Sequence, residues 1–372
     1  MQQIPHTYQT LYSELAQRSL DGSFASEFNV DGRFIAAEVK GRRYWYFDLP
    51  DGQGGKKRTY VGPVDDPEIT KRVETFKDLK ADIRERRKLV STLVREAYLP
   101  RPERQTGDIV QALAEAGFFR LRGVLIGTVA YQCYPAVLGV RLPGTAMITA
   151  DADFAQFHSI SVAVDDQIPS VLETLRKVDP TFREIPHQAD GRFTTQYASR
   201  SGYKVEFLTP NRGSEDYGGR PTPMPALGGA AAQPLRFLDF LIYQPIRAVL
   251  LHGPGVLVNV PAPERYAIHK LIVASRRRMD DDGTAKSRKD RAQAATVMEA
   301  MIEQRQTEDL ADAFMEAYDR GPAWKEAIRK SMDQIEEGLR QRIRSALSEG
   351  IRKLERNPGK YDVEERPAVP PR

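Results

Sequence analysis

The spacing of apolar residues divides this 372-residue chain into three stretches of different period. Between Thr7 and Ser19, Tyr8, Leu11 and Leu15 share one side at helical spacing and predict an amphipathic helix. Phe34–Lys40, Arg43–Asp48 and Arg58–Gly62 then alternate with period two. Joined by Gly41-Arg42 and by the Gly-rich turn DGQGGKK, they predict a small antiparallel sheet of three strands. From Pro67 to Tyr98 apolar residues return at helical intervals with no internal Gly or Pro, which predicts one long helix. Leu99-Pro-Arg-Pro-Glu103 interrupts the pattern and marks a first boundary near residue 100.

The middle of the chain mixes both periods. Thr106 or Asp108 caps a helix that runs to Ala116-Gly117, and Phe118 to Ile126 enters a sheet. Gly127-Thr128 breaks that strand into a helix, and a second strand spans Ala146 to Phe154. Ser159–Val164 reads as a strand, Ile168–Val178 as a helix, and Phe193–Tyr197 with Tyr203–Leu208 as a hairpin. After Pro210 a polar Gly- and Pro-rich stretch has the length of a lid or binding loop, in which Arg212 and Arg220 either meet phosphates or are simply solvated. Leu235–Tyr243 predicts a helix, and Ala248–Leu251 with Val256–Val260 a last hairpin. From Pro263 the helical period takes over, ending in one helix from Trp324 to about Glu355. The fold class is therefore α+β: a basic sheet-and-helix unit over 1–100, a mixed-sheet core over 101–261 and a helical domain over 262–355. The Pro-rich, charged end, 356–372, predicts disorder.

Composition narrows this only locally. A hydrophobic content of 41% supports real cores, and a net charge of +4 does not by itself call for a polyanionic partner. The single cysteine, Cys133, excludes an internal disulfide and a multi-cysteine zinc site. No signal pattern is present and no run approaches the roughly 18 apolar residues of a membrane span, so a soluble cytoplasmic protein is expected, with no membrane partner. Charge is concentrated near the start: Lys71 to Lys88 holds eight basic and four acidic residues. The stretch KGRRYWYFDLP resembles basic hairpin sheets of nucleic-acid-associated proteins. Arg43, Tyr44, Trp45 and Tyr46 either contact nucleic acid, the rings stacking on bases, or pack on the following helix.

Candidate chemistry lies between Gly123 and Phe154. Asp151 and Asp153, two apart on a strand, share a face, and Tyr203–Leu208 offers Glu206 as a third carboxylate if the two strands are neighbours. Three carboxylates converging beside a Gly-led helix start suit hard divalent cations and the phosphates of a triphosphate. Asp280 and Asp282, a second such pair, lie in a polar stretch, MDDDGTAKS, and are read as turn chemistry.

Gly127-Thr128-Val-Ala130-Tyr131, then Arg141, then Thr149-Ala-Asp151-Ala-Asp153 resembles the nucleotidyltransferases of the DNA polymerase β superfamily, and within them the bacterial AbiEii-like toxins and their uncharacterised relatives. Val205-Glu206-Phe207 is similar to that family's third acidic strand, and His269-Lys270 and Lys289-Asp290 to the Lys and Lys-Asp pairs of its helical half. Ile126 stands where a first Gly is usual, Thr128 where Ser is commoner, and the gap to Asp151 is long. The resemblance implies transfer of an NMP from ATP or another NTP to a hydroxyl acceptor, with release of pyrophosphate and a toxin-like role in some members. It implies two Mg2+ ions, replaceable by Mn2+, on Asp151, Asp153 and Glu206, and nucleotide contacts from Gly127, Thr128, Arg141 and Lys270. RNA, with the 3′ end of tRNA as one case, DNA, a protein side chain and a small molecule all remain as acceptors. A reading from another class is a catalytically silent nucleic-acid-binding or regulatory protein on the same fold.

Overall fold

The computed structural model describes residues 1–26, 28, 32–39, 41–50, 55–74, 76, 79–143, 147, 149–164, 166–211 and 219–364. The N-terminal third contains α1 (His6–Ser26), β1 (Arg33–Val39), β2 (Arg42–Pro50), β3 (Lys56–Pro63), α2 (Pro67–Glu74) and α3 (Leu79–Arg95). The three strands pair antiparallel in chain order, with Phe34 opposite Phe47 and Trp45 opposite Gly62. One face of this sheet closes over a small cluster of Phe28, Phe47 and Val61, capped by Ile69 and Phe76. The single helix expected over 67–98 is thus two. Phe76, between them, sits 5.4 Å from the Phe34 ring, so the chain leaves the helical path to deliver an aromatic to the sheet. Tertiary packing overrides helix propensity there. On α1 and α3, Tyr12, Leu15, Val90 and Leu93 form a separate core with Val249 and Leu251.

The central sheet is built from α4 (Arg104–Glu115), β4 (Val124–Ile126), α5 (Gly127–Tyr131), α6 (Tyr134–Leu138), β5 (Asp151–Ala155), α7 (His158–Ala163), α8 (Val171–Val178), β6 (Arg183–Pro186), β7 (Thr194–Ala198), β8 (Lys204–Pro210), β9 (Thr222–Pro223) and β10 (Ala231–Leu235). β5 lies between β4, antiparallel, and β8, parallel. The far edge of β8 pairs with β7 over its first half and with β10 over its second. Four expectations change here. Ser159–Val164 is helical: the buried Ser161 hydroxyl accepts the Ala226 amide at 3.0 Å and fixes the segment against a neighbouring turn. Part of the stretch read as a loop supplies β10, and Leu235–Tyr243 reduces to a single turn, α9 (Leu238–Leu241). The strand expected from Ala146 begins at Asp151; residues 144–146 and 148 fall outside the described residues. So does Arg212, while Arg220 is exposed.

The chain ends with the hairpin β11 (Ile246–Leu250) and β12 (Val256–Val260), followed by α10 (Pro263–Arg276), α11 (Asp281–Glu303), α12 (Thr307–Asp319), α13 (Pro322–Met332) and α14 (Glu337–Lys353). Asp280 caps α11 by accepting the Gly283 amide, so this acidic pair is helix-start chemistry. The helix expected over 324–355 breaks at 333–336. There Ile335 turns inward and the Glu336 carboxylate accepts the amides of Gly338 and Leu339, starting a new helix. Residues 356–364, expected to be disordered, are docked instead: Tyr361 and Val363 are buried, and Tyr361 packs on Tyr318. Residues 365–372 lie outside the described residues. One continuous core joins Leu125, Phe154 and Phe207 of the sheet to Tyr266, Leu271 and Met298 of the helices. Among the described residues no helix is long and apolar enough to cross a membrane.

Candidate active site

Local backbone chemistry sets the first element of the site. β4 is wholly buried, and at its end Gly127 turns the chain into α5 with a φ of +68°. A Cβ at Gly127 would lie 2.6 Å from Asp153 Oδ2. Both the left-handed backbone and the close approach of a carboxylate require glycine at this point. The second element is β5. Its Ala152 and Phe154 side chains face the core, where the Phe154 and Phe207 rings stack at 5.7 Å, so Asp151 and Asp153 face the other way. Burying Phe154 and Phe207 is worth about 1.5–3 kcal/mol each, and this fixes which side of the sheet carries the acids.

Register then brings in Glu206. Asp153 pairs with Glu206 and Asp151 with Lys204 across the parallel β5–β8 ladder, which places all three carboxylates on one face next to Gly127. Their crowding is visible in their acidity. Burial, then the charges of Asp151 and Glu206, push the Asp153 carboxyl up to about 7, against the opposing pull of Lys270 and Arg277. Burial and Asp151 likewise raise Glu206, while a hydrogen bond from Gln196 Nε2 at 2.8 Å pulls it down. Asp151 accepts from the Thr149 hydroxyl. The donor set is entirely carboxylate oxygen, the type that Mg2+ and Mn2+ prefer. Among the described residues no three Asp, Glu, His or Cys side chains are already spaced as a metal cage.

The helices supply the facing wall. Tyr266 on α10 donates its hydroxyl to the Gly127 carbonyl at 3.1 Å and lies 3.0 Å from Gln293 Oε1 on α11, tying the glycine turn to both helices. Lys270 Nζ donates to Asp290 Oδ1 at 2.6 Å, and Arg277 Nη2 lies 2.8 Å from Asp290 Oδ2. Burial raises the Asp290 carboxyl, but these two cations outweigh it and hold it below the ordinary range. Burial, then Lys270, depress Lys289, which feels the opposing charges of Asp151, Asp290 and Asp153. His269 is pushed down to about 3 by burial, then by Lys270, and is neutral at physiological pH.

Of the residues expected at the site, Asp151, Asp153 and Glu206 share one face of the sheet with Gly127 against Asp153, and the half-buried Thr128 is next along the chain. Lys270 and Lys289 act on the carboxylates through their charge. Asp290 is held by Lys270 and Arg277. Arg141 has its contacts elsewhere: its Nη1 donates to Gln2 Oε1 at 2.9 Å, and its guanidinium lies 4.8 Å over the Tyr98 ring. The N-terminal candidates split between two faces of β2, and Trp45 is committed to packing, its Nε1 donating to Thr70 Oγ1 at 2.7 Å. Sequence reasoning missed Tyr266, Arg277, Gln293 and Gln196. A signal existed for two of them: Tyr266, Lys270 and Arg277 follow one another at 4 and 7 residues, a spacing that sets them along one side of a helix.

No curated protein and no solved structure matches the chain. A family model described as nucleotidyltransferase matches residues 104–319, which covers the sheet, the three carboxylates and the facing wall from α10 through α12. The chain belongs to this nucleotidyltransferase family.

Proposed function

We propose that the protein moves an NMP from an NTP onto a hydroxyl acceptor at the Asp151, Asp153 and Glu206 face. The observation that carries this reading is the register of β5 on β8, which sets three carboxylates beside the Gly127 turn and opposite Lys270, Arg277 and Lys289. In the reaction the acceptor oxygen bonds to the α-phosphorus, the bond from that phosphorus to the α–β bridging oxygen breaks, and pyrophosphate leaves with that oxygen. Mg2+ would be held by Asp151 and Asp153, with Glu206 completing the set, and when bound it supplies charge neutralisation at the phosphates. Glu206 favours loss of the acceptor hydroxyl proton, and the Gly127-Thr128 turn lies against the triphosphate. Lys289, Lys270 and Arg277 together offset the triphosphate charge.

A second reading, a catalytically silent member of the family, has its own support. Glu206 is engaged by Gln196, and no ready metal cage exists among the described residues. Mg2+ titration by calorimetry separates the two. Binding that is lost in Asp151→Asn and Asp153→Asn supports the enzyme, and no heat with Mg2+ or Mn2+, alone or with NTP, supports the silent protein.

A further inference from the structure

Resting on that transfer reading, we propose that the outer face of the β1–β3 sheet is the docking surface for the acceptor, and that the acceptor is a single strand of nucleic acid. Alternation along β2 separates two sets of side chains. Trp45, Phe47 and Leu49 turn inward to the cluster with Phe28, Ile69 and Phe76, and Trp45 is locked there by Thr70. Tyr44 and Tyr46 turn the other way, and Tyr60 of β3 joins them through the Tyr46–Tyr60 register pair. The Tyr44 and Tyr46 rings each lie 5.8 Å from the Tyr60 ring. All three rings are half-buried, and among the described residues none belongs to a hydrophobic core cluster.

The charges on this face fit a polyanion. The Arg58 guanidinium lies 5.7 Å over the Tyr46 ring and is fixed by the Asp48 carboxylate at 2.7 Å, which also accepts from Lys56 at 2.7 Å. Asp48 is 3% exposed, so its charge is covered by the two cations it positions. Strand register adds Arg42 and Arg33 to the same face, opposite Val39 and Asp48. Three adjacent phenol rings with a cationic border match the chemistry of a single strand, whose bases stack on aromatics and whose phosphates take the cations. A duplex keeps its bases stacked on one another and offers the rings nothing.

Position links this face to the reaction. Arg120 Nη1 donates to the Tyr60 carbonyl at 2.8 Å and is itself held by Asp166 at 2.6 Å. Arg122 is near enough to Tyr60 for its charge to act on the phenol. β4 starts two residues later, and from Arg122 to Gly127 the chain spans at most about 18 Å. The tyrosine face and the Gly127 turn are therefore joined through one short segment of chain.

The test is fluorescence anisotropy of the full chain with labelled single-stranded RNA and with DNA of the same sequence, neither able to form a duplex. Binding is expected, weakening steeply with salt. Tyr44→Ala, Tyr46→Ala and Tyr60→Ala should each weaken it about 5- to 150-fold where a base stacks. Tyr46→Phe and Trp45→Phe should bind as wild type does, and Arg42→Ala should reduce the salt slope by about one phosphate. Tighter binding of RNA than of DNA assigns the acceptor to RNA, and the reverse order to DNA. The proposal is overturned if the wild-type chain binds neither strand, or if Tyr→Ala variants with unchanged melting bind as wild type does. Asp153→Asn keeps the two readings apart: it should lose transfer and retain full anisotropy, so failure of either leaves the other measurable.

Discussion

Gly127 and Asp153 define one contact, and each can be tested alone. Gly127→Ala sets a methyl 2.6 Å from Asp153 Oδ2 on a backbone that L-residues rarely adopt. It should cost about 1–2 kcal/mol from the backbone alone, and more if Asp153 cannot move aside, a loss that urea denaturation will register. The sign for Asp153 follows from proton linkage. Its carboxyl sits at about 7 in the folded chain against an ordinary 3.8, so between these values the folded state keeps a proton that the unfolded state has lost. The stability it contributes is complete below about 3.8 and is lost as pH rises through 7. With EDTA present, melting temperature should fall across that window in the wild type, and the slope should flatten in Asp153→Asn. An unchanged slope in the variant would assign the titration to other groups.

At the scale of elements, the central sheet was readable because its signals are local. A buried apolar strand ending in Gly127, two acids two residues apart and the alternation of Tyr203–Leu208 all act within a few residues. The neighbouring position of β5 and β8 stood only as a condition in the sequence, and register supplies it: Asp153 opposite Glu206. What escaped depends on contacts distant in sequence. The break at Phe76 exists because a ring 42 residues earlier, Phe34, needs a partner, and the helicity of Ser159–Val164 depends on an amide at Ala226. The Lys270–Asp290 pair shows the same dependence between α10 and α11. Both ends are mostly buried, so removing one strands the other: Asp290→Ala should cost about 3–5 kcal/mol by chemical denaturation. A combined Lys270→Met, Asp290→Leu variant should recover most of that loss. A neutral Asp290→Ala would mean that water already solvates the pair.

Across the whole molecule, the sheet and the C-terminal helices share one core, so the carboxylates and their cationic wall are held in one packed body. The first hundred residues are attached in a different way. Tyr12 accepts the Val249 amide at 2.9 Å, and Leu15 and Leu93 are completely buried in the cluster that covers Val249 and Leu251. Leu93→Ala should cost about 2–5 kcal/mol, and deleting residues 1–100 should yield aggregated rather than transfer-competent protein, which light scattering will show. Point variants are therefore the proper probes of the N-terminal sheet.

We propose that Asp151, Asp153 and Glu206 carry out nucleotidyl transfer, and labelled transfer measures it directly. The full chain is incubated with Mg2+, total cell extract and each α-labelled NTP in turn, and label bound covalently to macromolecule is followed together with pyrophosphate. One NTP should give label and pyrophosphate in equal amounts. Both should disappear in Asp153→Asn, while that variant melts at or above the wild-type temperature in EDTA. Equal transfer by wild type and Asp153→Asn, or no transfer from any NTP, would contradict the account.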